Sequence, residues 1–373
     1  MSKAADLANL IGNINMGGGG VNRNIIINGA MNVAQRSTSE TGLGGSDPSY
    51  QTLDRFRMNI GGTSDGRFTM AQDSSAPEGF ANSLKLSCTT ADTSIAADEL
   101  LSLQQRIEGQ NLQMFAKGTT SAKPYAVSFY VKGNASATYT CELEDGDNSR
   151  RVAKEFSVTT DWTRVELSFP ADTTGAFDDD NALSLSLNIF LHGGSNFTSG
   201  TFSANTWESI SNTTRLSDSQ TSFFDSTDRT FFITGVQLEV GQNPTEFEHE
   251  PFERTLTKCQ RYFKHFQSDT SDSRYMHFFG GFLYNTTLLI CAYPIIPKMR
   301  AQPSLGTTGT ASDYQVLFVG TNSACTSVPS LDGQSEPDNL DIRAECSSAT
   351  AGSGGTLRAA NTVDAFITLD AEL

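Results

Sequence analysis

The side chains in this sequence that could do chemistry are few and grouped. Glu142, Glu144, Asp145 and Asp147 crowd one short stretch, and Asp178, Asp179 and Asp180 are consecutive. Paired carboxylates can cleave a glycosidic bond, one as acid and the other as base or nucleophile. Grouped oxygens can instead hold Ca²⁺, which takes about six to eight of them. Neither cluster has EF-hand spacing, and both lie in turn-rich sequence, "EDGDNS" and "ADTTGAFDDDN", where carboxylates are ordinarily solvated. They read as surface loops. No cofactor is expected, with a structural calcium ion as the alternative use of these oxygens.

Other catalytic constellations are missing from the sequence. His192, His249, His265 and His277 are scattered singly, without metal-ligand spacing, and there is no Gly-x-Ser-x-Gly elbow. The chain is not expected to be an enzyme. Cys88, Cys141, Cys259, Cys291, Cys325 and Cys346 are spread too thinly for a disulfide scaffold and read as buried free thiols, although Cys325 and Cys346 are candidates to pair. Sugar binding sets an aromatic face against a pyranose ring and adds amide and carboxylate hydrogen bonds. Trp162, opening "DWTRVELSF", reads as a strand-end anchor packed on the core. Trp207 lies in a loop-like stretch, residues 193–225, long enough to suggest a function.

These residues need a scaffold, and composition bounds it. At 373 residues two domains are the default. Only 18% of residues are charged and 37% are apolar, a balance that suits short strands and polar turns. The net charge of −16 argues against nucleic acid and against an anionic membrane surface. No apolar run is long enough to span a bilayer, so no membrane insertion is expected, and the N-terminus lacks a signal-peptide pattern.

Along the chain, "MSKAADLANLIG" places Ala4, Leu7, Ala8 and Ile11 at helical spacing, with Ser2 as its cap and Gly12 at its end. A helix this short is marginal alone, so it is expected to dock on something, and the glycines that follow read as a hinge. They are not a phosphate loop, because no Lys-Ser/Thr follows them. Residues 1–23 are therefore expected to form an attachment helix and hinge. Residues 24–250 alternate with period two in "YAVSFYVKG", "ATYTCELED", "ALSLSLNIFLHG" and similar runs, about eight strands in all, which predicts a jelly-roll β-sandwich. Residues 100–115 are open between a bent strand and a short helix. Residues 251–264 read as a linking helix with Leu256, Cys259 and Phe263 on one face. Residues 265–373 read as a smaller β domain ending on a strand at Leu373. The fold class is mainly β.

Several segments carry a resemblance. "IIINGAMNVAQRS" (25–37) followed by Asp54-Arg55-Phe56, then "FITGVQLEVG" (232–241), then "TEFEHEPFERTLTKCQRYF" (245–263) resemble, in order, the jelly-roll region of a family of bacteriophage tail-fibre and tail-appendage proteins. "PIIPKMRAQPSL" and the terminal "DAEL" resemble its C-terminal part. The motif positions here are Asn28, Gly29, Arg36, Asp54, Arg55, Gly235, Gln237, Glu239, Gln260, Arg261 and Tyr262. The resemblance implies a fold similar to carbohydrate-binding modules, a homotrimer, location in the virion tail after synthesis in the host cytoplasm, and contact with host polysaccharide or lipopolysaccharide. It implies other tail proteins as partners; their docking through residues 1–23 rests on the marginal helix.

On the residues themselves, Gly29 is expected to permit a bend or bulge between two strand halves. Arg36 and Arg55 are expected to brace the sandwich end beside Asp54, with carbohydrate contact as the alternative. Trp207 stays open between a ligand platform and a fold-back onto the sandwich. Candidate ligand contacts are Trp207, Tyr314, Asp332 and Asn339, the last three in or beside the polar loops 305–313 and 327–341.

Overall fold

The computed structural model describes residues 3–15, 22–45, 49–267 and 274–373. Within them the chain packs as two units, one reaching Thr255 and including Leu373, the other running from Leu256 to Glu372.

The first unit is a β-sandwich. Its strands are β1 (Ser39–Gly44), β2 (Ser49–Tyr50), β3 (Arg57–Gly61), β4 (Arg67–Asp73), β5 (Ser83–Thr90) and β6 (Leu100–Glu108). β7 (Tyr125–Gly133), β8 (Ala137–Asp145), β9 (Arg150–Val158) and β10 (Thr163–Phe169) follow. β11 (Leu183–Gly193), β12 (Glu208–Ser209) and β13 (Thr230–Val240) complete it. A six-stranded sheet ordered β1-β4-β5-β13-β7-β10 stacks on a seven-stranded sheet ordered β12-β9-β8-β11-β6-β3-β2. Alternation explains the core: Leu101, Leu103 and Ile107 of β6, Leu185, Leu187 and Ile189 of β11, and Tyr139, Cys141 and Leu143 of β8 meet Leu84, Leu86, Val127, Phe129 and Val131 of the other sheet. This is the jelly-roll architecture that the alternation predicts.

β13 shows how one residue keeps a strand in phase. Phe231 and Ile233 face the core, and so do Val236, Leu238 and Val240, which is a change of parity. Three steps on β13, Thr234 to Gln237, oppose two on β7, Tyr130 to Ser128, so a bulge absorbs the extra residue. Gly235 sits there at φ 63°, and a Cβ on it would lie 2.8 Å from the Phe80 ring. Only glycine fits both constraints.

Several expectations are corrected. Residues 25–37 form a turn, not two strand halves: Asn28 (φ 63°) and Met31 (φ 58°) adopt the left-handed conformation on either side of Gly29. Gly29 is needed for close approach instead, since a Cβ there would lie 2.1 Å from the Val236 carbonyl oxygen. Helix α1 (Lys3–Asn15) continues through Gly12, because a lone glycine costs a helix only about 1 kcal/mol. Its proposed cap Ser2 and the hinge glycines Gly17–Gly20 lie outside the described residues. Residues 100–115 resolve into β6 and two short 3-10 turns, Gly109–Asn111 and Gln113–Phe115. Strands are more numerous than the eight expected, since β1–β4, β9 and β12 are short or too polar to alternate visibly.

A single turn of helix, α2 (Ser195–Thr198), lies in the long loop, and α3 (Phe252–Gln260) ends before Phe263, which begins the next strand. The second unit then contains β14 (Phe263–Gln267), β15 (His277–Leu283), β16 (Leu288–Pro294), β17 (Ser304–Thr307) and β18 (Tyr314–Phe318). β19 (Thr321–Ala324), β20 (Ser330–Leu331), β21 (Asn339–Glu345), β22 (Gly354–Ala359) and β23 (Phe366–Asp370) follow. A sheet ordered β19-β18-β22-β15-β16-β21-β20 accompanies a smaller one ordered β14-β23-β17. Phe279, Leu289, Val316, Ile342, Leu357 and Ile367 are among its core residues. β23 stops at Asp370, short of Leu373, and is paired on both edges, by β14 and β17. The chain's last strand is therefore not an open edge awaiting a partner.

Candidate functional site

The first carboxylate cluster is where structure departs furthest from the sequence reading. Glu142, Glu144 and Asp145 lie in β8, not in a turn, and Glu142 and Asp145 are wholly buried. Asp145 faces inward to the Lys117 ammonium at 2.5 Å, and Lys117 also meets Asp172 at 3.3 Å. Burial alone would raise the Asp172 carboxyl, but bonds from Arg150 and the Thr174 N–H and the Lys117 charge outweigh it and hold its pKa below the ordinary range. Asp178, Asp179 and Asp180 are exposed, as expected of a loop.

Glu142 and Glu144 face outward, where period-two alternation assembles a polar row. Arg57 of β3 stands opposite Gln104 of β6, Gln104 opposite Asn188 of β11, and Asn188 opposite Glu142 of β8. The side chains bond in that order: Arg57 Nη1 donates to Gln104 Oε1 (3.0 Å), Gln104 Nε2 to Asn188 Oδ1 (2.8 Å), and Asn188 Nδ2 to Glu142 Oε1 (3.1 Å). Arg215, from the long loop, closes the row by donating to Glu142 (2.5 Å) and to Glu144. Burial disfavours its charge, yet the two carboxylates more than offset that and hold the Arg215 guanidinium above its ordinary pKa. Arg151 Nη1 approaches Glu142 at 3.6 Å, and its Nη2 reaches Glu208 at 2.6 Å. Arg57, Asn59, Arg106 and Glu144 are half-exposed along this band. Such a band offers fixed donors and acceptors to hydroxyl groups, and its carboxylates are committed to guanidinium groups rather than poised as acid and base.

A second polar cluster looks catalytic and is not arranged for it. His192 Nδ1 lies 2.8 Å from Ser222 Oγ, and its Nε2 lies 3.0 Å from Glu99 Oε2. The Ser222 oxygen already accepts the Phe224 N–H (3.1 Å), and His192 and Glu99 are buried. Burial pushes the imidazole pKa down, with Glu99 acting against it. This clamp ties the long loop to β11 and to Glu99, the residue just before β6.

The candidate residues read from the sequence end in different places. Trp207 folds back: it packs on the sandwich core, its Nε1 donates to the Pro170 carbonyl (2.7 Å), and its ring centre lies 5.6 Å from that of Tyr125. Tyr314 is corrected as a ligand contact, because it is wholly buried, donating to the Phe366 carbonyl (2.5 Å) and accepting from the Thr308 N–H (3.1 Å). Asp332 is paired with Arg343 at 2.7 Å. Asn339 is exposed.

The motif residues of the sandwich come together, and Gln260, Arg261 and Tyr262 lie in the second unit. Asn28 Nδ2 donates to the carbonyls of Val33 (2.8 Å) and Asp54 (3.1 Å), and Asp54 accepts the Gln35 N–H (2.8 Å). Burial raises the Asp54 carboxyl, against the bonds from Gln35 and the charges of Arg36 and Arg55. Arg55 Nη2 donates to the Arg106 carbonyl (2.5 Å). Gln237 Nε2 donates to Glu239 (2.9 Å), Glu239 accepts the Thr245 N–H (2.7 Å), and Arg23 pairs with Glu239 at 3.5 Å. In the second unit, Tyr262 is buried and its carbonyl accepts the Ala371 N–H (2.8 Å), while the Arg261 carbonyl accepts the Arg300 N–H (2.8 Å). Gln260 ends α3. These are framework roles. The row residues Arg57, Gln104, Asn188 and Arg215 were missed in the sequence, although polar positions recurring in "LLSLQQRIE" and "LSLSLNIFLHG" are the signal that marks them. Among the described residues no group of His, Cys, Asp and Glu is placed to hold a metal ion, and no helix is long and apolar enough to cross a membrane.

The unit is thus a mainly β, jelly-roll sandwich bearing a polar outer face. Similar solved structures include a family 11 carbohydrate-binding module from Clostridium thermocellum in complex with a β-1,3-1,4-mixed-linked tetrasaccharide, 12% identical, covering 57% of this chain and 99% of its own, with a TM-score of 0.28. A putative sugar-binding protein from Bacteroides thetaiotaomicron is 11% identical, covering 58% and 100%, with a TM-score of 0.30. The enzymatically active domain of bacteriophage CBA120 tailspike protein 4 is 13% identical over 58% of this chain but 21% of its own, with a TM-score of 0.29. At these values the likeness carries nothing about ligand or activity. No family model and no curated protein sequence matches the chain.

Proposed function

We propose that this chain is a non-enzymatic tail-fibre subunit of a bacteriophage that meets glycans on the host surface. The observation that supports it best is that the motif segments of the sandwich, about two hundred positions apart, meet there: Gly29 lies against Val236, and the Asn24 side chain accepts the Leu238 N–H (3.2 Å). This supports reading the matched residues of the sandwich as parts of one frame. The polar band on the seven-stranded sheet supplies the kind of groups that hold hydroxyls.

In this reading residues 1–23 dock on the tail, the second unit is the distal part, and three copies associate in parallel with closed symmetry. Phe282, Tyr284, Ile296 and Val319 of the second unit are exposed apolar side chains suited to that association. A second reading, an architectural appendage without receptor contact, draws on the fact that the row residues already bond to one another.

Mass spectrometry of purified virions together with binding to isolated host polysaccharide tests the proposal. Presence in the tail and retention on the polysaccharide without its cleavage are expected. Presence without retention would favour the architectural reading, and cleavage would make the chain a depolymerase. Light scattering is expected to return about three times 40.2 kDa; a monomer at micromolar concentration would reject the trimer. Exchanging residues 265–373 with those of a relative infecting another host is expected to transfer host range, and a range that followed the sandwich would move the receptor site there.

A further inference from the structure

One cleft stands apart from the polar band. It opens where the edge strand β10 of one sheet faces the outer part of β9 of the other. Its volume is about 600 Å³, and it is lined by Lys123, Lys154, Asn205 and Gln242 together with Ser168 and Phe169 at the end of β10 and the small or proline residues Ala122, Pro124, Pro170 and Ala171. No carboxylate lines it, in a chain with 42 acidic residues and a net charge of −16.

Among the described residues neither lysine faces a carboxylate within 4 Å, but where Lys132, Arg57, Arg67 and Arg106 are spent on protein oxygens, these two ammonium groups meet at one cleft. Lys117, Arg150, Arg151, Arg215 and Arg229 each face a carboxylate within 4 Å. Lys154 has an aromatic neighbour, with its ammonium 5.7 Å from the Phe169 ring centre. It occupies a core-facing register position of β9, between the buried Val152 and Phe156. Its charge therefore reaches solvent only through the open edge of the sandwich, and burial lowers its pKa. Asn205 is fixed beside it in the left-handed conformation (φ 58°), with its N–H on the Ala153 carbonyl at 2.9 Å. Cations without carboxylate partners, two amides and an apolar wall make a site for a ring that carries an anion.

We propose that this edge cleft binds an acidic saccharide unit, its anionic group at Lys123 and Lys154 and its apolar ring face toward Pro124 and Pro170, with the buried Phe169 ring beneath Lys154. This rests on the glycan reading above and specifies the chemical class of the glycan: uronate, sialate or sulfated sugar. Local charge makes it compatible with the acidic whole, since the field of distant carboxylates is screened beyond about 10 Å at 0.1 M salt.

The test is calorimetric titration of the full chain with oligogalacturonate, polysialic acid, heparin-derived oligosaccharide, neutral galactan and inorganic phosphate. K154Q, K123Q and the double variant are titrated in parallel, with thermal midpoints recorded. The expected result is binding of at least one acidic oligosaccharide, at least tenfold weaker in each single variant and weakened by salt, with unchanged or raised midpoints. Binding of galactan alone, unaffected by the variants, would overturn the acidic cleft and leave the glycan reading standing. Phosphate binding that depends on both lysines, with no saccharide bound, would keep an anion site and overturn its glycan assignment. If nothing binds and K154Q instead aggregates, Lys154 is an inward charge that blocks strand addition at an exposed edge, and the proposal is wrong.

Discussion

The two units hold their polar groups in opposite ways. In the sandwich, ionic side chains run through buried positions: Lys117 with Asp145 and Asp172, Arg151 with Glu142, and Arg215 with Glu142 and Glu144. In the second unit, ion pairs such as Lys298–Asp338 and Arg343–Asp332 lie toward the surface, and large apolar side chains are left out, Ile296 at 86% exposed and Val319 at 77%. The sandwich should therefore be brittle to charge removal and to acid. The second unit should respond to changes in packing and association. Surface ion pairs are each worth about 0–1 kcal/mol, while losing one partner of a buried pair costs roughly 3–5 kcal/mol because the remaining charge is stranded.

The largest expected effect tests that difference directly. Arg215→Ala should destabilise the sandwich by roughly 3–5 kcal/mol, since it leaves Glu142 and Glu144 without their main counter-charge. Lys298→Ala should change the second unit by less than about 0.5 kcal/mol. Denaturant melts that separate the two units would check both, and equal responses would remove the contrast.

The second unit can be stapled where the sandwich is already braced. Ser347 N–H donates to the Ala324 carbonyl (3.1 Å) and Thr326 N–H to the Glu345 carbonyl (3.0 Å), which makes Cys325 and Cys346 a non-hydrogen-bonded antiparallel pair. Such pairs have Cα atoms about 4.5 Å apart, within disulfide range. Closing a loop of about twenty residues should stabilise this unit by roughly 3 kcal/mol. Burial pushes the Cys325 thiol up to about 12, so oxidation is expected to be slow at neutral pH and faster in alkaline oxidised glutathione. Four remaining thiols after denaturation would confirm the bond, and six would refute it; C325S serves as the control.

Backbone effects should be smaller. Gly235→Ala forces a methyl against Phe80 and Tyr130 at a left-handed position and should cost roughly 1–3 kcal/mol, read as a lower sandwich midpoint. An unchanged midpoint would mean the bulge can move.

The remaining effects are in pH dependence, and they separate the units. The folded pKa values of His192 and Asp172 lie below their ordinary values. The unfolded chain then binds more protons, so their stabilisation is complete above about pH 6.5 and about pH 4, respectively, and is lost as pH falls through the lower folded values. Lys264 of the second unit is lowered by burial to about 8. Its contribution is fully present only above about pH 10.4 and is lost as pH falls through about 8, so at pH 7 its charge works against that unit. Lys264→Met should raise the second unit's midpoint at pH 7, and the advantage over wild type should shrink between pH 8 and 10. A constant advantage would show that Lys264 acts by packing and not by charge.

The sequence by itself determined what is local and periodic. Alternation in "YAVSFYVKG" and "ALSLSLNIFLHG" places β7 and β11, and turn residues bound them, because period two leaves one face apolar whatever strand lies beside it. What only the tertiary structure decided is where distant residues meet. Glu142 and Glu144 look solvated beside "EDGDNS", yet their partner Arg215 comes from more than seventy positions away, and the row through Gln104 and Asn188 exists only once four strands are in register. The same holds for Tyr314, polar enough to suggest a contact and buried because β18 is covered, and for Gly29, whose neighbour Val236 lies at the far end of the sandwich sequence. Side-chain period is a property of one strand; register, burial and charge pairing belong to the sheet.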